Sequence, residues 1–332
     1  MRENRMSRHI LVTGAGGMLG SRLLAMLGTV NPGNTEDLEV TDNDNAGNLV
    51  TGWSYRRPLP GLQRIEATSR AQVDRYFAEH LPQVCVHCVA APDVQACERD
   101  PRMAHLLNAA STENVAQACA RHGTKLVYLS TEYVFDGSSR DGYREDDAPN
   151  PLQTYGETKL LGERYAAQVP GALTVRLPVL YGDPVPGRTP TWLEAMLEAL
   201  EQGRPVDLDD HYERRPTWSH DVAAVLARVI ADDLTGVLHV AAQEGVTKYV
   251  WGRAVAEAAG LPSALLRPSR PSPGATGGAR RPERPWLRTD RLESLGLRPP
   301  AGIHRRAADY LRSTSTSTST SGSTPGQASV GR

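Results

Sequence analysis

Residues 9–13, HILVT, followed at once by GAGGMLG, constrain this chain more than any other stretch. They place an apolar strand, a turn with Gly14, Gly17 and Gly20 in G-x-x-G-x-x-G spacing, and then a helical pattern. Such a turn lets backbone N–H groups approach a pyrophosphate and sets the anion at the positive end of the new helix. A glycine-rich loop alone carries little, but a strand before it and a helix after it give the motif a nucleotide-binding reading.

Short apolar runs continue to alternate with helical patterns, which is the mark of a parallel sheet built from βαβ units. Strands are expected at 9–13, 49–54, 84–90, 125–130, 173–177 and 237–240, and helices at 18–27, 70–79, 103–122, 154–168, 191–202, 221–231 and 250–259. The fold class is therefore α/β: a Rossmann-type doubly wound parallel sheet with a smaller C-terminal substrate lobe. Two stretches resist the scheme. Residues 28–47 are rich in Asn, Asp and Gly and read as a long surface excursion. Residues 267–285 are dense in Pro, Gly and Arg, and read either as a substrate-covering loop or as a plain connection.

Composition excludes several classes of partner. With 332 residues, 39% hydrophobic and 23% charged, and a net charge of -1, the chain has a globular composition and no basic field to hold nucleic acid or an anionic membrane. A small-molecule substrate is expected, and a homodimer is left open. Cys85, Cys88, Cys97 and Cys119 read as reduced thiols of a cytoplasmic protein, since no secretory or membrane-length apolar run is present. Cys85 and Cys88 spell C-x-x-C, but in VCVHCVAA they belong to a strand, where residues three apart face opposite sides. Asp209, Asp210, His211, His220 and Asp221 resemble a metal cluster only at first sight. The better reading is a loop entering a helix, so no metal is expected.

In PLQTYGETKLLGERYAA, Tyr155 and Lys159 stand four apart on a helix and so share a face. Lysine is scarce: Lys125, Lys159 and Lys248 are the three in the chain. A phenol is a weak acid near neutrality, and a nearby ammonium favours its ionised form and lowers its pKa. Tyr155 would then give a proton to a carbonyl oxygen as hydride reaches carbon. The strand KLVYLST ends in Ser130 and Thr131, at the carboxyl edge where ligands of open α/β sheets lie, and either hydroxyl suits the substrate carbonyl.

The end of the second strand sets cofactor choice, because an acid there bonds the ribose 2′-hydroxyl and an arginine receives a 2′-phosphate. LVTGWS runs into Tyr55, Arg56 and Arg57, so NADP(H) is expected; if Asp42 in LEVTD instead ends the strand, NAD(H) follows.

VTGAGGMLGSRL, VHCVAAPDVQACERDP, YLSTEYVFDG, PLQTYGETKLLGE, VRLPVLYG and RRPTWSHDVA together resemble the extended short-chain dehydrogenase/reductases, in the branch of dTDP-4-dehydrorhamnose reductase and the methionine adenosyltransferase regulatory β subunit. The resemblance implies Thr131, Tyr155 and Lys159 as catalytic residues. It sets Gly14, Gly17, Met18, Leu19, Gly20, Ala90, Ala91, Ser130 and Lys159 around the cofactor, with Leu177, Pro178 and Val179 near the nicotinamide. VTGWSYRR is similar to the regulatory subunit's second strand with its paired arginines, which supports Arg56 and Arg57 as 2′-phosphate contacts. Glu132, Arg214 and Arg215 are assigned to substrate, the arginines as a fork for the phosphates of a nucleotide-sugar or, equally, as a solvated pair. Glu132 stands where the family usually has Asp, and Ala67-Thr68 where an acid commonly meets the adenine.

Residues 1–183, completed by about 217–243, are thus read as an NADP(H)-binding domain, and 184–216 with 244–312 as the substrate lobe. The Ser/Thr-rich residues 313–332 have nothing apolar to bury and are expected to be disordered. The leading expectation is an NADPH-dependent reductase of a keto sugar. The alternatives are an NADP(H)-binding regulatory subunit and a nucleotide-sugar epimerase or dehydratase.

Overall fold

The computed structural model describes residues 7–28, 48–55, 61–185, 190–270 and 278–319. Along the chain run β1 (His9–Thr13), α1 (Met18–Leu27), β2 (Leu49–Gly52), α2 (Arg70–His80), β3 (Val84–His87), α3 (Val94–Arg99), α4 (Pro101–His105), α5 (Ser111–His122), β4 (Lys125–Thr131), α6 (Thr154–Ala166) and β5 (Leu173–Leu177). There follow β6 (Leu180–Tyr181), α7 (Trp192–Glu201), β7 (Val206–Asp209), β8 (Thr217–Trp218), α8 (Ser219–Ala231), β9 (Gly236–His239), α9 (Lys248–Ala258), β10 (Leu266–Ser269), α10 (Asp290–Ser294) and α11 (Ile303–Ser319).

Six strands form one parallel sheet in the order β2-β1-β3-β4-β5-β9. Its central strands are apolar at nearly every position because helices cover both faces. Ile10, Val12, Val84, Val86, Val127 and Val175 feed a core shared with α1 and α8, whereas Leu11, Cys85, Leu126 and Tyr128 feed a second core with α2 and α5. The C-x-x-C pair divides as strand geometry requires: Cys85 lies in the second core, Cys88 packs against the first, and both are free thiols. The sheet reverses direction of growth between β1 and β3, which opens a crevice at the carboxyl ends of those strands.

A third core gathers Leu193, Met196, Trp251, Ile303 and Tyr310 from the stretches read as the C-terminal lobe, with Tyr181 from the stretch before them. There β10 pairs with β7, and β6 with β8. The helix expected at 103–122 is instead α4, a π-helical turn over Leu106–Ala110, and α5. Helix α11 runs past residue 313 to Ser319. In α11 the Ser313 and Thr314 hydroxyls donate back to the Tyr310 and Leu311 carbonyls at 2.8 and 2.9 Å, so short polar side chains satisfy the helix locally. Among the described residues no helix is long and apolar enough to cross a membrane.

Candidate active site

The site starts at the turn after β1. Gly14 has φ +65, and a Cβ there would stand 2.9 Å from the backbone of Cys88 and Val89, so a side chain is excluded by conformation and by space. The turn is held by Gly17 N–H donating to the Gly14 carbonyl and Ala15 N–H to the Trp53 carbonyl, both at 2.9 Å. No side chain caps Gly17 and no acid sits in the first turn of α1. The N–H groups of Met18, Leu19 and Gly20 therefore face the crevice end with the helix dipole behind them, a set that fits a pyrophosphate.

Ala90 and Ala91 follow β3 on the other side of the crevice. Ala91 N–H donates to Asn108 Oδ1 at 2.7 Å, and Asn108 Nδ2 donates to Thr158 Oγ1 at 3.1 Å. Asn108 lies in the π turn, is fully buried, and joins the Ala91 segment to α6. Sequence reasoning passed over it. The available signal was a polar residue inside the apolar helical pattern HLLNAA.

Thr131 ends β4, buried, with its hydroxyl accepting from Tyr133 N–H at 3.2 Å. The segment then turns through a single 3₁₀ turn, Glu132–Val134, and α6 starts against it. At Gly156 a Cβ would lie 2.2 Å from the Tyr133 carbonyl oxygen, so glycine is what lets α6 dock and carry Tyr155 to the end of β4. Hydrogen bonding to Thr131 favours the ionised phenol, but burial outweighs it and pushes Tyr155 above its ordinary value. The Tyr133 ring meets the Tyr155 ring edge-on, with centroids 5.9 Å apart.

Lys159 is 2% exposed; its Nζ donates to the Leu129 carbonyl at 2.7 Å and stands 4.2 Å from the Tyr128 ring centroid. Burial lowers it to about 7, with Glu163 acting the other way. The ammonium thus engages β4, and desolvation is the largest influence on Tyr155. A phenol kept protonated is the form that can donate in the reductive direction. Ser130, at the end of β4, donates its hydroxyl to Glu163 Oε1 at 2.5 Å.

Glu132 is fully buried, and among the described residues neither oxygen has a partner within hydrogen-bond geometry. Burial raises it to about 7, against Arg214. Arg214 Nε approaches Glu132 Oε1 at 3.7 Å, an ion pair too long for a hydrogen bond. Arg214 is itself buried and donates to the Glu213 and Glu283 carbonyls at 2.7 and 3.0 Å. Arg215 donates to the Leu287 carbonyl at 2.8 Å and lies over the Trp286 ring. Glu132 and Arg214 thus form a buried pair beside Thr131, while Arg215 is partly buried against Trp286, so the two arginines do not form a solvated pair.

Leu177 is buried in the core shared with α1 and α8. Val179 and Met18 border a cavity of about 220 Å³ whose far wall is Trp192, Trp251 and Tyr310 of the lobe. Ala67 and Thr68 have their carbonyls held by Asn114 Nδ2 at 3.1 Å. Arg56, Arg57 and Asp42 lie outside the described residues, as do 29–47 and 271–277. Among the described residues no group of three or more His, Cys, Asp or Glu could hold a metal ion. His220 and Asp221 lie in the first turn of α8, where Asp221 pairs with Arg306 at 2.7 Å.

The family model described as RmlD substrate binding domain matches residues 8–315. The chain belongs to that family, within the extended short-chain dehydrogenase/reductases. Among relatives of this RmlD-type chain, the methionine adenosyltransferase 2 subunit beta of Xenopus laevis is 35% identical over 298 residues, covering 88% of this chain and 83% of that protein. The probable low-salt glycan biosynthesis reductase Agl14 of Haloferax volcanii is 30% identical over 326 residues, covering 91% and 99%. Among solved structures, dTDP-4-dehydrorhamnose reductase from Bacillus anthracis in complex with NADP superposes with a TM-score of 0.79 at 22% identity, covering 93% of this chain and 100% of that one. That likeness establishes the Rossmann-type architecture of the RmlD-type chain.

Proposed function

We propose that this protein is an NADPH-dependent reductase of a keto sugar, with a nucleoside-diphosphate 4-keto-6-deoxyhexose as substrate. The observation that carries the reading is the convergence of Thr131, Tyr155 and Lys159 at the end of β4, two strands along the sheet from the glycine turn after β1. The relative named as a reductase and the NADP complex of a similar fold support it. A nicotinamide dinucleotide, when bound, supplies the hydride. Tyr155 delivers its proton to the substrate oxygen, and Thr131 orients that oxygen by a hydrogen bond. Lys159 offers the buried positive charge that offsets the developing alkoxide. Arg214 and Arg215 serve the diphosphate, and Arg56 and Arg57 the 2′-phosphate. The test is loss of NADPH absorbance with a nucleoside-diphosphate 4-keto-6-deoxyhexose. Tyr155→Phe should lower kcat by about 10²–10⁴-fold while leaving NADPH affinity in place. Equal rates in the two proteins reject the acid role.

A second reading has its own support. Identity to the methionine adenosyltransferase β subunit, 35%, exceeds the 30% shared with the reductase. On that reading the protein binds NADP(H) and regulates a synthetase without turnover. Co-purification with a methionine adenosyltransferase and a change in its kinetics favour it; NADPH consumption by the protein alone with a keto sugar counts against it.

A further inference from the structure

The catalytic face of α6 continues one turn further. Tyr155, Lys159 and Glu163 follow at steps of four, in one row along the helix. Glu163 is buried, and three donors fix its carboxylate. Ser130 Oγ and Arg176 Nε reach Oε1 at 2.5 and 3.0 Å, and Arg176 Nη2 reaches Oε2 at 2.9 Å. Arg176, on β5, is locked in turn. It donates to the Glu145 carbonyl at 3.2 Å and lies 3.4 Å from His239 Nε2 on β9.

A buried two-pronged ion pair is a poor device for stability alone, since apolar side chains of similar volume commonly do as well or better. Its place beside Lys159 supplies another reason. Among the described residues, the groups around that ammonium bring no other negative charge. On β4, the Tyr128 phenol is held protonated by burial. From β3 and the residue after it come His87, kept neutral at about 3, and the Cys88 thiol, pushed up to about 12. On α6 itself Tyr155 is protonated. Beyond lie Arg176 on β5 and His239 on β9, the latter kept neutral at about 3.

We infer that Glu163, clamped by Arg176 and Ser130, is a positioning residue for the reaction, the counter-charge that keeps the Lys159 ammonium in the site. The inference rests on Lys159 belonging to the proposed reductase machinery, but its test needs no substrate.

The chain has three lysines, Lys125, Lys159 and Lys248, so side-chain NMR of the full protein with labelled lysine shows three signals. Lys159 is assigned by its loss in Lys159→Arg. Glu163→Gln keeps the shape and loses the charge, and should move the Lys159 titration midpoint down by about one pH unit; Glu163→Asp keeps the charge and should hold most of it. Lys125 and Lys248 should not move. A Gln variant that titrates like wild type, or an Asp variant shifted more than Gln, overturns the inference, because shape and not charge would then be what matters. If Glu163→Gln alone does not fold, the paired change Glu163→Gln with Arg176→Leu removes the buried carboxylate together with the guanidinium that clamps it. A smaller downward shift is expected there, because the loss of the Arg176 cation works the other way, and an unmoved midpoint sinks the idea. A protein that never reduces a keto sugar defeats the reductase reading and leaves this measurement standing. Turnover with an unmoved Lys159 defeats the inference alone.

Discussion

Three histidines sit buried in neutral form: burial pushes His87 and His239 down to about 3 and His220 to about 4. His87 Nδ1 pairs with Thr13 Oγ1 at 2.8 Å, while its Nε2 has no partner. A base whose folded pKa is depressed binds fewer protons in the native than in the unfolded state. The stability it contributes is therefore complete above about 6.5 and is lost as pH falls toward the folded value. Glu132, raised to about 7, has the opposite sign: it weakens the fold as pH climbs from its ordinary value of 4.5. With two deeply buried histidines against one such acid, the melting temperature should be lower at about pH 5 than at pH 7, each histidine costing about 1–2 kcal/mol. His87→Gln should flatten that slope and Glu132→Gln should steepen it, as read by thermal melts across pH. Parallel slopes in all three proteins would show that these groups do not set the acid sensitivity.

At the scale of elements, the position of α6 decides whether there is a site at all. Its N-terminus is set by Gln153, whose side chain accepts from Gly156 N–H at 2.6 Å, and its flank by Asn108 in the π turn. Asn108→Ala would leave the half-buried Ala91 N–H without its partner, a loss of about 1 kcal/mol. It should also weaken NADPH binding in a fluorescence titration, because the Ala90–Ala91 edge of the crevice is no longer tied to the catalytic helix. Unchanged affinity would make Asn108 a stability residue only. Tyr155 and Lys159 were legible in the sequence because helical spacing is a local rule. The π turn was not, since a 3.6-residue pattern runs through 103–122 without a break that marks an extra residue. Glu163 was missed for a related reason: its partner Arg176 lies on another element, and no local rule links the two. Nor did the pattern show that Lys159 reaches the Leu129 carbonyl, because that follows from how β4 and α6 pack.

At the scale of the whole molecule, the sheet was readable because every central strand is covered on both faces and so is apolar throughout. The lobe was not. Its strands β6 and β8 span two residues each, too short to show a period, and β7 pairs with β10 from a distant part of the chain. The lobe nonetheless bounds the cavity beside Met18 and Val179, and Arg214 from the same region reaches Glu132 beside Thr131. Function in this account is a property of the assembled crevice, with the glycine turn on one strand and the proton donor two strands along the sheet. A crystal structure of the protein grown with NADPH tests that claim most directly. The account places the pyrophosphate on the N–H groups of Met18, Leu19 and Gly20, with the nicotinamide between Val179 and the hydroxyl of Tyr155. A dinucleotide bound away from the glycine turn, or a nicotinamide on the far side of the sheet from Tyr155, would contradict it.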